Sequence, residues 1–205
     1  MSRRSVSLCA ALIALAALAA GRPAWAKPRE SYVFLVSRVE LAKGVPGEVE
    51  AQVTARLAAA IDGHEELESS LGEGAPDPEK DPQKFKSYLK ARRQRAFKVN
   101  IDVSQYSSEI EQAAGGRGQG SKQYLTVRVT LRLFGETMPD RVMAFTGDGS
   151  ATVKLEIGKT ARPRDREEAN SAVLDQAVAS AIEQSLQKLK QPPPSEAKKK
   201  KRGKK

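Results

Sequence analysis

Two stretches of this chain alternate so strictly that they dictate the rest of the fold. Phe97, Val99, Ile101 and Val103 are separated by Lys98, Asn100, Asp102 and Ser104, and Leu125, Val127, Val129, Leu131 and Leu133 by Thr126, Arg128, Thr130 and Arg132. Only a strand returns every second side chain to one face, so both stretches predict strands with one dry face and one wet face. A sheet with one dry face needs a cover. Ala169, Val173, Leu174, Ala177, Val178, Ala181, Ile182, Leu186 and Leu189 provide it, lying on one side of a long helix that stops before Pro192-Pro193-Pro194. Asp165 and Glu168 read as its N-cap and N3 residues.

The remaining elements follow from shorter patterns. Ser31 to Leu41 contains Tyr32-Val33-Phe34-Leu35-Val36, a β-prone run of strand length. Val49, Val53, Leu57 and Ile61 recur every four residues and predict a helix ending near Gly63. Leu67, Ser69 and Leu71 fit a brief strand, and Gly72 to Pro82 a Gly/Pro/acidic loop. Phe85, Tyr88 and Leu89 give Gln83 to Arg95 a narrow apolar stripe on a basic helix. Met138-Pro139-Asp140 turns the chain into Val142 to Ile157, either one long strand bent at Gly147-Asp148-Gly149 or two strands. Sequential strands joined by loops pair antiparallel. The expectation is therefore an α+β two-layer sandwich: a mainly antiparallel sheet of about four strands with two or three helices on one face.

This domain occupies residues 27–190. Ahead of it, Arg3 and Arg4, the apolar run Leu8 to Ala20 and Ala24-Trp25-Ala26 read as an export signal cleaved after Ala26. The run is shorter than the roughly 20 residues of a membrane span. Ser2-Arg3-Arg4-Ser5-Val6 partly matches a twin-arginine signal, but Ser7 breaks the match, which favours general secretion. Cys9 lies near the start of the apolar run and not at its end, so lipidation is not expected. Behind the domain, residues 191–205 form a Pro/Lys-rich basic tail expected to be disordered.

Splitting the chain this way changes the meaning of its charge. The 35 Lys and Arg against 25 Asp and Glu give a formal +10. Three arginines belong to the leader, and residues 191–205 hold seven basic residues against Glu196, which leaves 25 basic and 24 acidic residues on the domain. The basic balance describes the two appendages.

The order of strand, helix, second helix, three alternating strands and closing helix behind a signal peptide resembles the small periplasmic α/β modules of bacterial envelope proteins. Examples are the lipoprotein activators of penicillin-binding proteins, the N-terminal domain of the Tol-Pal translocation protein and the curli secretion lipoprotein. The likeness rests on Phe97 to Val103, Leu125 to Leu133 and Val173 to Leu189. It implies a module that binds other envelope components without catalysis, although this chain lacks the lipoproteins' lipidated cysteine.

Composition argues in the same direction. With one Cys and one His in the whole chain, a Cys/His nucleophile pair, a Cys/His zinc site and a disulfide framework are excluded. His64 sits just past a helix end and reads as a solvated turn residue. Ser150 in Gly147-Asp148-Gly149-Ser150 lacks the strand-to-helix elbow of a hydrolase nucleophile. Gly116-Arg117-Gly118-Gln119-Gly120 precedes a strand, not the helix a phosphate cradle requires. The carboxylates from Glu65 to Asp81 lack calcium-loop spacing. No catalytic residue, cofactor, metal or small-molecule substrate is expected.

Two basic features remain as binding candidates. Lys86, Lys90 and Arg93 share the side of the second helix opposite Phe85, Tyr88 and Leu89, with Arg92 on the apolar side, and the neighbouring stretch from Asp62 to Asp81, with eight acids and only Lys80, is expected to neutralise them. The tail, with Lys198, Lys199, Lys200, Lys201, Arg202, Lys204 and Lys205, would contact polyanions outside the membrane: anionic lipid, wall polymer or extracellular DNA. Such contact would be salt-sensitive. The expected function is an exported, periplasmic or secreted, non-enzymatic envelope module acting on a protein partner. Polyanion binding by the tail is the alternative.

Overall fold

A computed structural model describes residues 30–113 and 122–191. In chain order the elements are β1 (Ser31–Leu41), α1 (Glu48–Asp62), β2 (Leu67–Glu68), α2 (Pro82–Arg92), β3 (Gln94–Ala113), β4 (Lys122–Thr137), β5 (Met143–Ile157) and α3 (Pro163–Lys190). The five strands form one sheet in the order β2-β1-β3-β4-β5.

The sheet has five strands where about four were expected, and it is mixed. The β3-β4 and β4-β5 pairs are antiparallel as the alternation predicted, whereas β1 runs parallel to both β2 and β3. The reason is connection length. A whole helix separates β1 from β2 and β2 from β3, and a helical crossover returns the chain in its original direction. The chain steps outward from β1 to β2, then back past β1 to β3. With the right-handed crossovers that strand twist favours, this reversal places α1 and α2 on opposite faces.

Burial agrees with that placement. Val49, Val53, Leu57 and Ile61 of α1 join Phe34, Phe97, Val99, Ile101, the alternating residues of β4 and the apolar face of α3 in the main core. Phe85 and Leu89 of α2 instead meet Val33 and Ala96, the residues whose neighbours Phe34 and Phe97 point the other way, in a small second core. The expected single covered face is thus corrected to one fully covered face and one covered only at the β1/β3 end. Leu71, expected in a strand, packs into this second core, and the β2 ladder ends at Glu68.

Three aromatic rings record how far the sheet curls. Phe34 on β1 and Phe145 on β5 stack with centroids 5.1 Å apart, and Phe97 meets both edge-on at 5.9 and 5.4 Å. A flat sheet would hold β1 and β5 three strand spacings apart, about 14 Å. Closing that gap rolls the sheet into a half-barrel. Gly135 on β4 makes the closure possible, because a Cβ there would lie 2.2 Å from the Phe145 ring.

The helix α3 fills the mouth of the half-barrel. It begins a turn earlier than expected: the Arg162 N–H donates to Asp165 Oδ2 at 2.9 Å, so Asp165 is the N3 residue and Pro163 opens the helix. Gly147 and Gly149 do not bend β5, which is continuous, but serve as the seat for α3. A Cβ on Gly147 would stand 2.1 Å from the Ala181 carbonyl oxygen, and one on Gly149 2.0 Å from that of Ala177. Backbone packs on backbone here.

Gly149→Ala should therefore destabilise the domain by about 1–3 kcal/mol through forced displacement of α3. Gly158→Ala, where a Cβ meets nothing within 4 Å, should change stability by less than about 0.5 kcal/mol. Urea unfolding followed by circular dichroism compares the two.

Candidate functional site

The sheet face that α2 leaves open is polar and internally paired. Arg132 binds Asp148 at 2.7 Å, Lys122 binds Glu156 at 3.1 Å, and Glu111 sits between Lys154 at 2.7 Å and Arg128 at 3.2 Å. The hydrogen bond from Lys154 holds the Glu111 carboxyl below its ordinary range, with the Lys154 and Arg128 charges adding to the effect. Glu156 raises Lys122 and Asp148 raises Arg132 in the same way. A face whose charges satisfy one another presents little to a ligand.

Beside the N-terminal end of α2, where the open face begins, there is a groove of about 710 Å³. Leu35, Val36 and Ser37 of β1 and Lys98 of β3 form one side; Asp77, Pro78, Glu79 and Pro82 form the second, and Met138 to Arg141 in the β4-β5 turn the third. Each wall is held in place. The Tyr88 hydroxyl donates to the Gly72 carbonyl at 3.1 Å, and Arg92 stacks over the Tyr88 ring at 4.6 Å, pinning the root of the 72–81 loop to α2. Asp77 Oδ1 accepts the Glu79 and Lys80 N–H groups at 2.9 and 3.4 Å, which sets the turn before Pro82 and lowers the Asp77 carboxyl. Arg141, in the left-handed region at φ 52°, reaches Glu79 at 2.5 Å, and Lys86 reaches Asp140 at 2.8 Å. Those two pairs tie the β4-β5 turn to the α2 side.

The basic patch expected on α2 is therefore divided. Lys86 is spent on Asp140 at the groove. Lys90 and Arg93 lie at the other end of the helix and share a shallow depression with Glu30, Gln94 and Arg95. The Arg93 backbone is left-handed (φ 56°) and caps α2. This pole also carries the end of α3, where Lys190 reaches Glu66 at 2.5 Å while the Glu66 carbonyl accepts the Tyr32 N–H. The tail lysines and Arg202, the export signal and the 115–120 glycine loop lie outside the described residues. His64 stays in its turn, its Nδ1 accepting the Glu66 N–H at 3.3 Å. Ser150 lies on β5 with its Oγ 3.4 Å from Thr130 Oγ1. Among the described residues no cluster of His, Cys, Asp and Glu could hold a metal ion, and no helix is long and apolar enough to cross a membrane.

The groove and the outer edge of β5 carried no signal in the sequence. β5 ends the sheet, and the Asp148 N–H turns away from β4 to meet Gln184 Oε1 at 3.2 Å. In an antiparallel ladder alternate residues share that outward direction, so Ser150, Thr152, Lys154 and Glu156 also offer main-chain donors and acceptors outward. All four are exposed. Val142 and Met143, 60% and 54% exposed, begin this edge.

No family model matches the chain, and no curated protein does. Solved structures similar to it include a homolog of the neuraminyllactose-binding hemagglutinin from Helicobacter pylori (12% identity, 84% of this chain and 88% of that one, TM-score 0.44). A protein of Xanthomonas campestris from a family of unknown function shares 14% identity over 81% and 89% of the two chains, with TM-score 0.46. A minor lipoprotein of Acinetobacter baumannii shares 12% over 73% and 87%, with TM-score 0.36. These are not the activator, Tol-Pal or curli families that the element order resembles. At such scores they assign this chain no ligand, partner or activity.

Carbon-detected NMR titration should find the Glu111 carboxyl below the ordinary glutamate value of about 4.3, and Lys154→Met should move it upward. Because a depressed carboxyl stabilises the fold only while ionised, this contribution is present above the unfolded value. It fades as pH falls through the folded one.

Proposed function

We propose that the chain is an exported envelope module that binds a protein partner by main-chain pairing along the outer edge of β5. One observation carries the reading: β5 is an edge strand of 15 residues, with outward donors and acceptors at Ser150, Thr152, Lys154 and Glu156. Sheet edges in natural proteins are blunted by short strands, bulges, proline or covering segments. The opposite edge follows that rule, since β2 has two residues and β1 shifts register between Val36 and Arg38. β5 has no proline, and among the described residues only its Asp148 amide is capped from α3. Added strands gain affinity from the main chain and selectivity from alternate side chains. Here those side chains are Ser150 and Thr152, since Lys154 and Glu156 are held by Glu111 and Lys122, with Val142 and Met143 as an apolar anchor at the other end of the strand.

Export rests on the leader, and absence of catalysis on the lack of a nucleophile, base or metal constellation among the described residues. In crosslinking pull-downs from envelope extracts, Thr152→Pro should abolish capture of a partner that the unaltered protein retains. Proline is tolerated on an edge, so the variant should keep its melting temperature. Undiminished capture by a folded Thr152→Pro protein would refute edge pairing.

A second reading is favoured by the position of the tail's root. Lys190, the last residue of α3, lies on the same pole as Lys90, Arg93 and Arg95. On this reading the pole and tail together hold an anionic polymer or membrane surface. Removal of residues 195–205 should weaken binding to vesicles containing phosphatidylglycerol at 50 mM salt by at least tenfold and flatten its salt dependence. Equal binding by the truncated protein would exclude the tail.

A further inference from the structure

Among the described residues the groove contains one cation that makes no ion pair. Lys98 stands beside Leu35 of β1 and across from Glu136 of β4, is half-buried and lines the groove. Among the described residues no carboxylate, Glu136 included, lies within ion-pairing distance of its ammonium. Every other charged residue lining the groove has an opposite partner: Asp77 has Lys80, Glu79 has Arg141 and Asp140 has Lys86. The groove therefore keeps a single surplus positive charge, and that charge is held against an apolar wall.

The lining specifies the remainder of a ligand. Leu35, Val36, Pro78, Pro82, Met138 and Pro139 supply its apolar surface. No aromatic ring is present for stacking. The rim's carboxylates are engaged with Lys80, Lys86 and Arg141, which leaves little to read the amide groups of a peptide. Its volume falls within the roughly 300–1,000 Å³ of small-molecule sites. An anionic head over Lys98 would gain a charge-assisted contact in partly desolvated surroundings. An unbranched chain would cover the apolar surface without asking for hydrogen bonds.

We propose that this groove binds a single-chain fatty carboxylate, its head on Lys98 Nζ and its chain along Leu35, Pro78, Pro82 and Met138. The site is separate from the β5 edge, and the inference does not depend on edge pairing.

The test is calorimetric titration of the protein, tail included, with sodium dodecanoate below its micellar concentration. Dodecyl maltoside, acetate and N-acetyl-leucyl-leucine serve as parallel probes. Dodecanoate should bind saturably at one site per chain, and Lys98→Gln should weaken it about tenfold or more. Ser37→Trp, which places a ring in the groove from an exposed position, should abolish binding. Lys98→Gln removes no core contact and should melt like the parent, so it decides the matter even if Ser37→Trp fails to fold. The proposal is overturned if dodecanoate does not saturate, if dodecyl maltoside binds equally well or if Lys98→Gln binds unchanged. Tighter, Lys98-dependent binding of the acetylated dipeptide would overturn it too and identify a peptide carboxylate as the ligand class.

Discussion

The backbone contact between α3 and β5 governs the rest of the architecture. With glycine at positions 147 and 149, the carbonyls of Ala177 and Ala181 can rest where side chains would otherwise stand. The helix sits deep enough to fill the mouth of a half-barrel, and the sheet can roll until Phe145 stacks on Phe34. Gly135 clears the path for the same ring. Three missing side chains, two under a helix and one under a phenyl ring, allow a curvature that a uniform row of β-branched residues would resist. Arg56 of α1, which reaches Asp175 and Ser171 of α3, then places the second helix of the covered face against the first.

Curling has a cost on the other face, and the groove is where it falls. A rolled sheet offers α2 only a limited bed, so its two buried anchors, Phe85 and Leu89, meet a small core of Val33 and Ala96 flanked by partly buried Leu35, Leu71, Tyr88 and Met138. Beyond them the sheet returns to solvent with its charges paired. The groove lies on that boundary because the 72–81 loop and the β4-β5 turn flank it, Arg141 joining the turn to Glu79 of the loop and Asp140 joining it to Lys86 of α2. Surface ion pairs of this kind contribute little stability, typically about 0–1 kcal/mol each. Their consequence is positional: they set the width of the groove.

Strands β3 and β4, helices α1 and α3 and their buried faces were legible in the sequence because each pattern is local and repeats. The parallel pairing of β1 was not, since it depends on two crossovers returning to one strand, and no residue within β1 records which neighbour it will have. Gly147-Asp148-Gly149 has the composition of a bend, and only the helix packed upon it gives those glycines another purpose. The groove draws on residues 35–37, 77–82, 98 and 138–141, so no window of sequence contains it. Lys98 in particular sits in a strict alternation where a lysine on the wet face is the ordinary expectation. Only the arrangement of its neighbours shows that it has no counter-ion among the described residues.

Net charge is a poor guide to such a surface. The domain holds 25 basic and 24 acidic residues, and the described pairs cancel locally along the open sheet face and around the groove. Where cancellation is this thorough, the long-range field of the folded domain is weak. What remains among the described residues is short-range: the outward main-chain groups of β5, and the Lys98 ammonium, which has no ion pair there, beside an apolar wall. Both operate within a few ångströms, inside the screening length of about 8 Å at physiological salt. Both are therefore far less sensitive to ionic strength than attraction between exposed charges at longer range.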